Sequence, residues 1–277
     1  MTHPPVLTAR RIISDFRSGS SLPVLVETTS GLRCVVKWKC TGEGPTANAV
    51  EWISLHLARI AGVPVPTTCL INITPDLLHD AQDPEINDLI TRSVGVNLAL
   101  EYIEGAVPFD VTRGDAVDRV MKDLIYQFDV LLLNIDRTDL NPNMLFANDK
   151  LCCIDWTTAM AIKMLVSGQV HSEHALLTQV RRHPFYVPAN ELAESVFLLD
   201  SAHVKEVVDS TPDEWLIDPA MVKGRVLFGL TKLLRESGTV MKRRLAALDT
   251  IPLESAEARK ERTLRNRKAF EAKWGKF

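Results

Sequence analysis

Residues Asn134-Ile135-Asp136-Arg137-Thr138-Asp139-Leu140-Asn141-Pro142-Asn143 run into Met144-Leu145-Phe146 and, past Asn148-Asp149, into Leu151-Cys152-Cys153-Ile154-Asp155-Trp156. The pattern predicts a polar loop, a short strand, a tight turn, a second strand and an aspartate at its end. Asp136 and Asn141 stand five apart in a proline-containing loop, and Asp155 lies on the far side of the hairpin. Hard oxygen ligands of this kind suit Mg²⁺, which keeps waters and substrate phosphates in its shell and takes only one or two carboxylates. A loop Asp, an Asn at i+5 and a later hairpin Asp form a phosphotransferase arrangement. The first positions an attacking hydroxyl and accepts its proton, and the other two hold metal on nucleotide phosphates. Alone the D-x4-N spacing is weak, because Asp and Asn populate every turn.

What precedes the loop strengthens it. Lys37 sits in Val35-Val36-Lys37-Trp38, a predicted strand with apolar alternate positions, where an ammonium needs an anionic partner. Glu51, on a predicted helix from Asn48 to Ala61 that Gly62 caps, is the natural candidate. A strand lysine that holds phosphates and pairs with a helix glutamate is a kinase device. Further upstream, Ser18-Gly19-Ser20-Ser21 is a small-residue turn able to offer amides and hydroxyls to phosphate. It is no G-x4-G-K-[ST] loop.

The first forty residues read as short strands in a hairpin-rich antiparallel sheet, and Val65 to Ile73 and Val96 to Ile103 as two more. Between these, the acidic stretch from Asp76 to Asp88 reads as a surface excursion. From Gly114 the pattern turns helical, with one long amphipathic helix expected over Asp115 to Leu133. Three segments follow: 1–104, a strand-rich lobe with the Glu51 helix; 105–254, a helical lobe with the catalytic and metal loops; and 255–277, a basic helix or tail. The tail reads as a solvated helix, with a docking role for a partner protein as the rarer alternative.

The chain's 277 residues suit two domains or one bilobal unit, and its net charge of −3 recruits neither nucleic acid nor anionic lipid. Five cysteines without a C-x-x-C pair argue against a disulfide framework and for a reducing compartment, the cytoplasm. No apolar leader and no uncharged 18-residue apolar run is found, so no membrane role is expected. Among smaller signals, Arg137 is expected to brace its loop through a carboxylate, Asn143 to cap the strand turn, and Arg181-Arg182 to be solvated. The His171, His174 and His183 spacing is a poor zinc pattern.

With these pieces in order, the sequence resembles the HipA-like kinases, in particular a short single-domain group with D-R-x3-N-P-N and then I-D near mid-chain. The matching pieces are Gly19 to Thr28, Val35 to Lys39, the Glu51 helix ending in Gly62 to Pro66, Asn134 to Leu145, Ile154-Asp155-Trp156 and Pro212-Asp213-Glu214-Trp215. The D-R-x3-N loop is also similar to that of phosphatidylinositol kinases. The resemblance implies an α+β, bilobal protein-kinase-like fold, an antiparallel sheet lobe and a mostly helical lobe with ATP between them. It implies Lys37 on phosphate, Glu51 orienting it, Asp136 as catalytic base, and Asn141 and Asp155 as Mg²⁺ ligands. Backbone groups of Glu101, Tyr102 and Ile103 would meet adenine, and Ser18, Gly19, Ser20 and Ser21 would lie over the phosphates. Those serines fall where relatives are autophosphorylated, and a phosphate there would repel ATP. Thr138 stands where HipA itself has histidine, and Trp156 replaces the Phe-Gly that follows the metal aspartate in switching kinases. The expected acceptor is a Ser/Thr hydroxyl of a protein. The alternatives are a small-molecule or lipid kinase on the same scaffold, and a non-catalytic nucleotide-binding module of toxin–antitoxin type.

Overall fold

The computed structural model describes residues 5–16, 22–41, 44–80, 83–112, 117–193, 197, 199–253, 255, 257 and 261. Alternation of buried and exposed side chains makes strands of Val6–Asp15 (β1), Val24–Thr28 (β2) and Arg33–Lys37 (β3). The helix Pro45–Ile60 (α1) begins on a first-turn proline and ends before Gly62, whose φ of 86° admits the left-handed turn that releases the chain. Strands Thr68–Ile73 (β4) and Gly95–Glu101 (β5) follow, separated by the helix Pro84–Arg92 (α2).

These strands close into a barrel of order β1-β2-β3-β5-β4. The expected antiparallel sheet is therefore corrected at one seam: β1 and β4 pair parallel, Val6 on Leu70 through Thr8 on Asn72. The long path from β1 to β4 through β2, β3 and α1 is what permits a parallel pairing. Ala9, Val24, Val26, Cys34, Val36, Ile71, Ile73 and Ala99 fill the barrel. The acidic stretch is also corrected, because α2 and the 3-10 turn Pro75–His79 bury Leu77, Ile86, Leu89 and Ile90 in that same core. Asp83 caps α2 by accepting from the Glu85 amide at 2.7 Å, so the acid there starts a helix.

Beyond β5, the short strand Val107–Pro108 (β6) pairs with the hairpin Met144–Ala147 (β7) and Lys150–Cys153 (β8). The long helix begins later than expected, at Arg119, because Asp118 caps it through the Val120 and Met121 amides; it runs to Leu132 (α3). The helices Met160–Ser167 (α4), Glu173–Val180 (α5), Ser201–Ser210 (α6), Pro219–Arg235 (α7) and Ser237–Thr250 (α8) complete the lobe. The core of this lobe takes in α1: Trp52, Ile53 and Leu55 share it with Phe128, Trp156 and Trp215. Among the described residues, no helix is long and apolar enough to cross a membrane. All five cysteines are free thiols. Most of the basic C-terminal segment lies outside the described residues.

Candidate active site

Lys37 is the last residue of β3, and alternation settles its direction. Cys34 and Val36 enter the barrel core, so Lys37 leaves by the opposite face, toward α1. Asn48 and Glu51 share one face of α1 at i and i+3. The Asn48 side-chain amide donates to the Lys37 carbonyl at 3.1 Å, while Glu51 Oε1 lies 3.2 Å from Lys37 Nζ. One helix turn thus grips both ends of the lysine. On its other side Lys37 Nζ is 3.6 Å from Asp155 Oδ2.

Burial pulls the Lys37 ammonium down, but the carboxylates of Glu51 and Asp155 more than offset this and hold it above the lysine range. Glu51 is fully buried, neither of its oxygens has an aligned hydrogen bond, and burial pushes its carboxyl up to about 7 against the pull of Lys37. The two form one coupled unit in which Lys37 carries the charge and the proton released near neutrality is the pair's. Asp155 stays below the carboxylate range: burial opposes its ionisation, but Lys37 and a hydrogen bond from Thr157 outweigh it. Its backbone is left-handed, φ 60°, and the Thr157 hydroxyl donates to Oδ1 at 2.9 Å. That turn sends the carboxylate back toward Lys37 instead of along the strand.

Asp136 lies in the loop between α3 and β7. Its Oδ2 accepts from Asn141 Nδ2 at 2.8 Å and from Asn143 Nδ2 at 3.1 Å. Asn143, read from sequence as a turn cap, therefore steadies the Asp136 carboxylate. Asn141 donates to Asp136 through its amide nitrogen, which leaves its Oδ1 as an acceptor.

A buried hub holds this loop. Arg137 is fully buried; its Nε pairs with Asp129, its Nη1 reaches the carbonyls of Pro142 (3.1 Å) and Asn143 (2.5 Å), and its guanidinium lies 4.4 Å over the Trp156 ring. Asp129 also accepts from Asn134 Nδ2 (3.0 Å), Trp156 Nε1 (2.8 Å) and His183 Nε2 (3.1 Å). His183 Nδ1 accepts from the Phe185 amide at 3.1 Å, so the ring is neutral with its proton on Nε2; burial keeps it below the usual histidine range. Asp129 has no role in the sequence reading, and His183, grouped there with His171 and His174 as a poor zinc pattern, instead pairs with Asp129. The usable signal was a lone acid among Phe128, Val130, Leu131 and Leu132 on a helix, which has to be paired.

A family model for HipA-like kinases matches residues 9–237. The chain belongs to the HipA-like kinase family. No curated protein matches it in sequence. Among solved structures it is similar to the proinflammatory kinase CtkA of Helicobacter pylori, at 11% identity, covering 91% of this chain and all of that one, with a TM-score of 0.48. It is also similar to the Golgi casein kinase, at 10% identity, over 90% of this chain and 74% of that one, with a TM-score of 0.42.

As a member of the HipA-like kinases the chain is a phosphotransferase of kinase type. The expected site residues come together in two groups: Lys37, Glu51 and Asp155 around one ammonium, and Asp136, Asn141 and Asn143 around one carboxylate. Ser18, Gly19, Ser20 and Ser21 lie outside the described residues. Glu101 closes β5 and donates its amide to the Thr67 carbonyl at 2.8 Å, and Tyr102 donates to the Arg33 carbonyl at 2.9 Å. His171 and His174 are not part of a metal cluster, and no group of three or more His, Cys, Asp or Glu able to hold a metal occurs among the described residues. The Arg181-Arg182 pair is bonded rather than solvated: Arg181 Nε donates to the Ile251 carbonyl at 3.0 Å and Arg182 to Gln179 at 2.5 Å.

Proposed function

We propose that this HipA-like kinase transfers a phosphoryl group from Mg·ATP to a Ser/Thr hydroxyl of a protein, in the cytoplasm. The observation that carries the reading is Lys37 held between a buried glutamate and the carboxylate of Asp155, beside a loop whose aspartate is fixed by two asparagines. The donor set fits the group. Asp155 and the Asn141 side-chain carbonyl are hard oxygens, and one carboxylate with few other protein ligands is within what Mg²⁺ on nucleotide phosphates takes.

ATP with Mg²⁺ supplies the transferable phosphoryl group. Lys37 would hold phosphate oxygens, and Glu51 would keep its ammonium aimed. Asp155 and Asn141 would ligate the metal. Oδ2 of Asp136 already accepts from both asparagines, so Oδ1 is the oxygen left to orient the acceptor hydroxyl and take its proton. The catalytic power expected of such a site is positioning and charge neutralisation. At the hinge, the amides of Glu101 and Tyr102 are spent in the sheet. The adenine edge would thus meet the Ile103 amide, which takes no partner among the described residues.

A protein acceptor is supported by the exposure of the loop beside Asp136. Only Trp156-Thr157-Thr158-Ala159 separate Asp155 from α4, and Leu140, one residue before Asn141, is 73% exposed. The free thiols support a reducing compartment.

The test is transfer of label from γ-labelled ATP to a protein acceptor. Asp136→Asn should still bind Mg·ATP and lose transfer by about a hundredfold or more, the usual worth of a positioned base. Asp155→Ala should lose metal-dependent nucleotide binding as well. Full transfer activity in both variants would end this assignment.

A further inference from the structure

The Pro212-Asp213-Glu214-Trp215 segment belongs to the helical lobe, yet it grips the barrel. Strand β5 starts before its neighbour: β4 pairs with it from Gly95, whereas β3 joins only from Leu98, opposite Lys37. The first residues of β5 therefore present a free edge, which unpaired backbone groups make costly. Residues 214 and 215 fill it as a strand would. The Val96 amide donates to Glu214 Oε2 at 3.3 Å, and Trp215 Nε1 donates to the Val96 carbonyl at 2.9 Å. Lys39, just past β3, adds its ammonium to Glu214 Oε2 at 3.1 Å. Gly95 holds φ 105°, a conformation that a side chain would strain, and a Cβ there would lie 2.8 Å from Lys39 Nζ and press on its pairing with Glu214.

The same segment holds α1. Trp215 is fully buried and meets Trp52 edge-on at 6.0 Å, and Trp52 Nε1 donates to Ser210 Oγ at 3.2 Å. Trp52 follows Glu51 directly, so about a hundred degrees of helix separate their directions. One side chain faces Lys37 while the next is anchored in the other lobe. Asp213 is tied back to α7 through Lys223 at 2.6 Å.

We infer that this segment is a positioning device: by fastening Trp52 and the start of β5 to the helical lobe, it keeps Glu51 on Lys37 without any activating signal. The inference rests on the phosphotransfer reading for what the device serves, and on geometry alone for what it holds. Glu214, Trp215 and Lys39 touch none of the reacting groups; they act through α1 and β3.

The experiment combines amide hydrogen exchange with a double-mutant cycle on the full chain. Glu214→Ala and Trp215→Phe should stay folded while exchange of the α1 amides quickens about tenfold, the size expected for a contact along a coupling path. Each should lower kcat by a similar factor and leave KM for the acceptor unchanged. Glu214→Gln, which keeps an acceptor for the Val96 amide, should recover part of the loss. In a Glu51→Gln background, Glu214→Ala should cost nothing further, because its effect passes through Glu51. Additive losses, or unchanged α1 exchange in folded variants, would overturn the inference. Should Trp215→Phe fail to fold, Lys39→Met makes the same test without touching the core. If the wild type itself transferred no phosphate, the phosphotransfer reading would fall, and α1 exchange would still decide whether the segment holds the helix; transfer left intact by Glu51→Gln would overturn the link from the segment to catalysis.

Discussion

Arg137 reaches Asp129, the Trp156 ring and two carbonyls of the Asp136 loop from one side chain, so its removal strands a fully buried carboxylate. Breaking a buried pair in this way costs about 3–5 kcal/mol. Arg137→Ala should therefore lose that much in urea unfolding, a large share of a domain's roughly 5–15 kcal/mol. Lysine restores the charge but not the planar fork that spans Nε and Nη1, and Arg137→Lys should recover less than half. Asp136→Asn, one residue away but turned outward, should leave unfolding almost unchanged. Acid reports on the same hub. Burial alone would raise the Asp129 carboxyl, yet Arg137 with the His183 and Asn134 hydrogen bonds brings it to about 2. A depressed acid stabilises the fold above its ordinary pKa of 3.8 and loses that contribution as pH falls toward 2. The wild type should thus lose stability over that window, and Asp129→Asn should show a shallower loss there.

Between elements, β3 and α1 meet through a carboxyl whose proton leaves near pH 7. Below that pH the Lys37 ammonium loses the charge of its Glu51 partner, so kcat/KM for nucleotide, which reports groups of the free protein, should rise by about tenfold per pH unit and level off above 7. Glu51→Gln should flatten that limb of a rate–pH profile, and a profile unchanged by the substitution would show that another group sets it. Stability runs the other way. The folded state keeps a proton that the unfolded chain releases near 4.5, so this carboxyl's contribution declines as pH rises from there to 7. The pairing of these two elements was legible because alternation around Lys37 and helical spacing around Glu51 are local signals. The same logic reaches α2, where Ile86, Leu89 and Ile90 repeat at i, i+3 and i+4, but the flanking Asp and Pro residues hid it. Asp83 and Pro84 are in fact cap and first-turn residues. Closure of the barrel was not legible: nothing in Val6–Thr8 marks it for Leu70–Asn72. His183 and Asp129, 54 residues apart, likewise meet only through tertiary packing.

At the scale of the molecule, the barrel has its own core, yet α1 sits in the core of the helical lobe while hydrogen-bonding β3. A barrel free to unfold alone would have to pull Trp52 from Trp215 and Lys37 from Glu51. Those are desolvated contacts, so the two lobes should melt in a single transition. Nucleotide bound between them should then shift that one transition. At about a hundred times Kd the linkage is roughly 2.7 kcal/mol, which for a chain of this size raises the midpoint by several degrees. The Mg²⁺-dependent part of the shift should vanish in Asp155→Ala and persist in Asp136→Asn, because in the proposed reading one carboxylate would hold the metal and the other would orient the acceptor. Calorimetry with and without ATP and Mg²⁺ checks both halves of the argument. Two transitions, of which ATP moves only the lower, would mean that α1 unfolds with the barrel and that its anchoring in the helical lobe is too weak to couple the lobes.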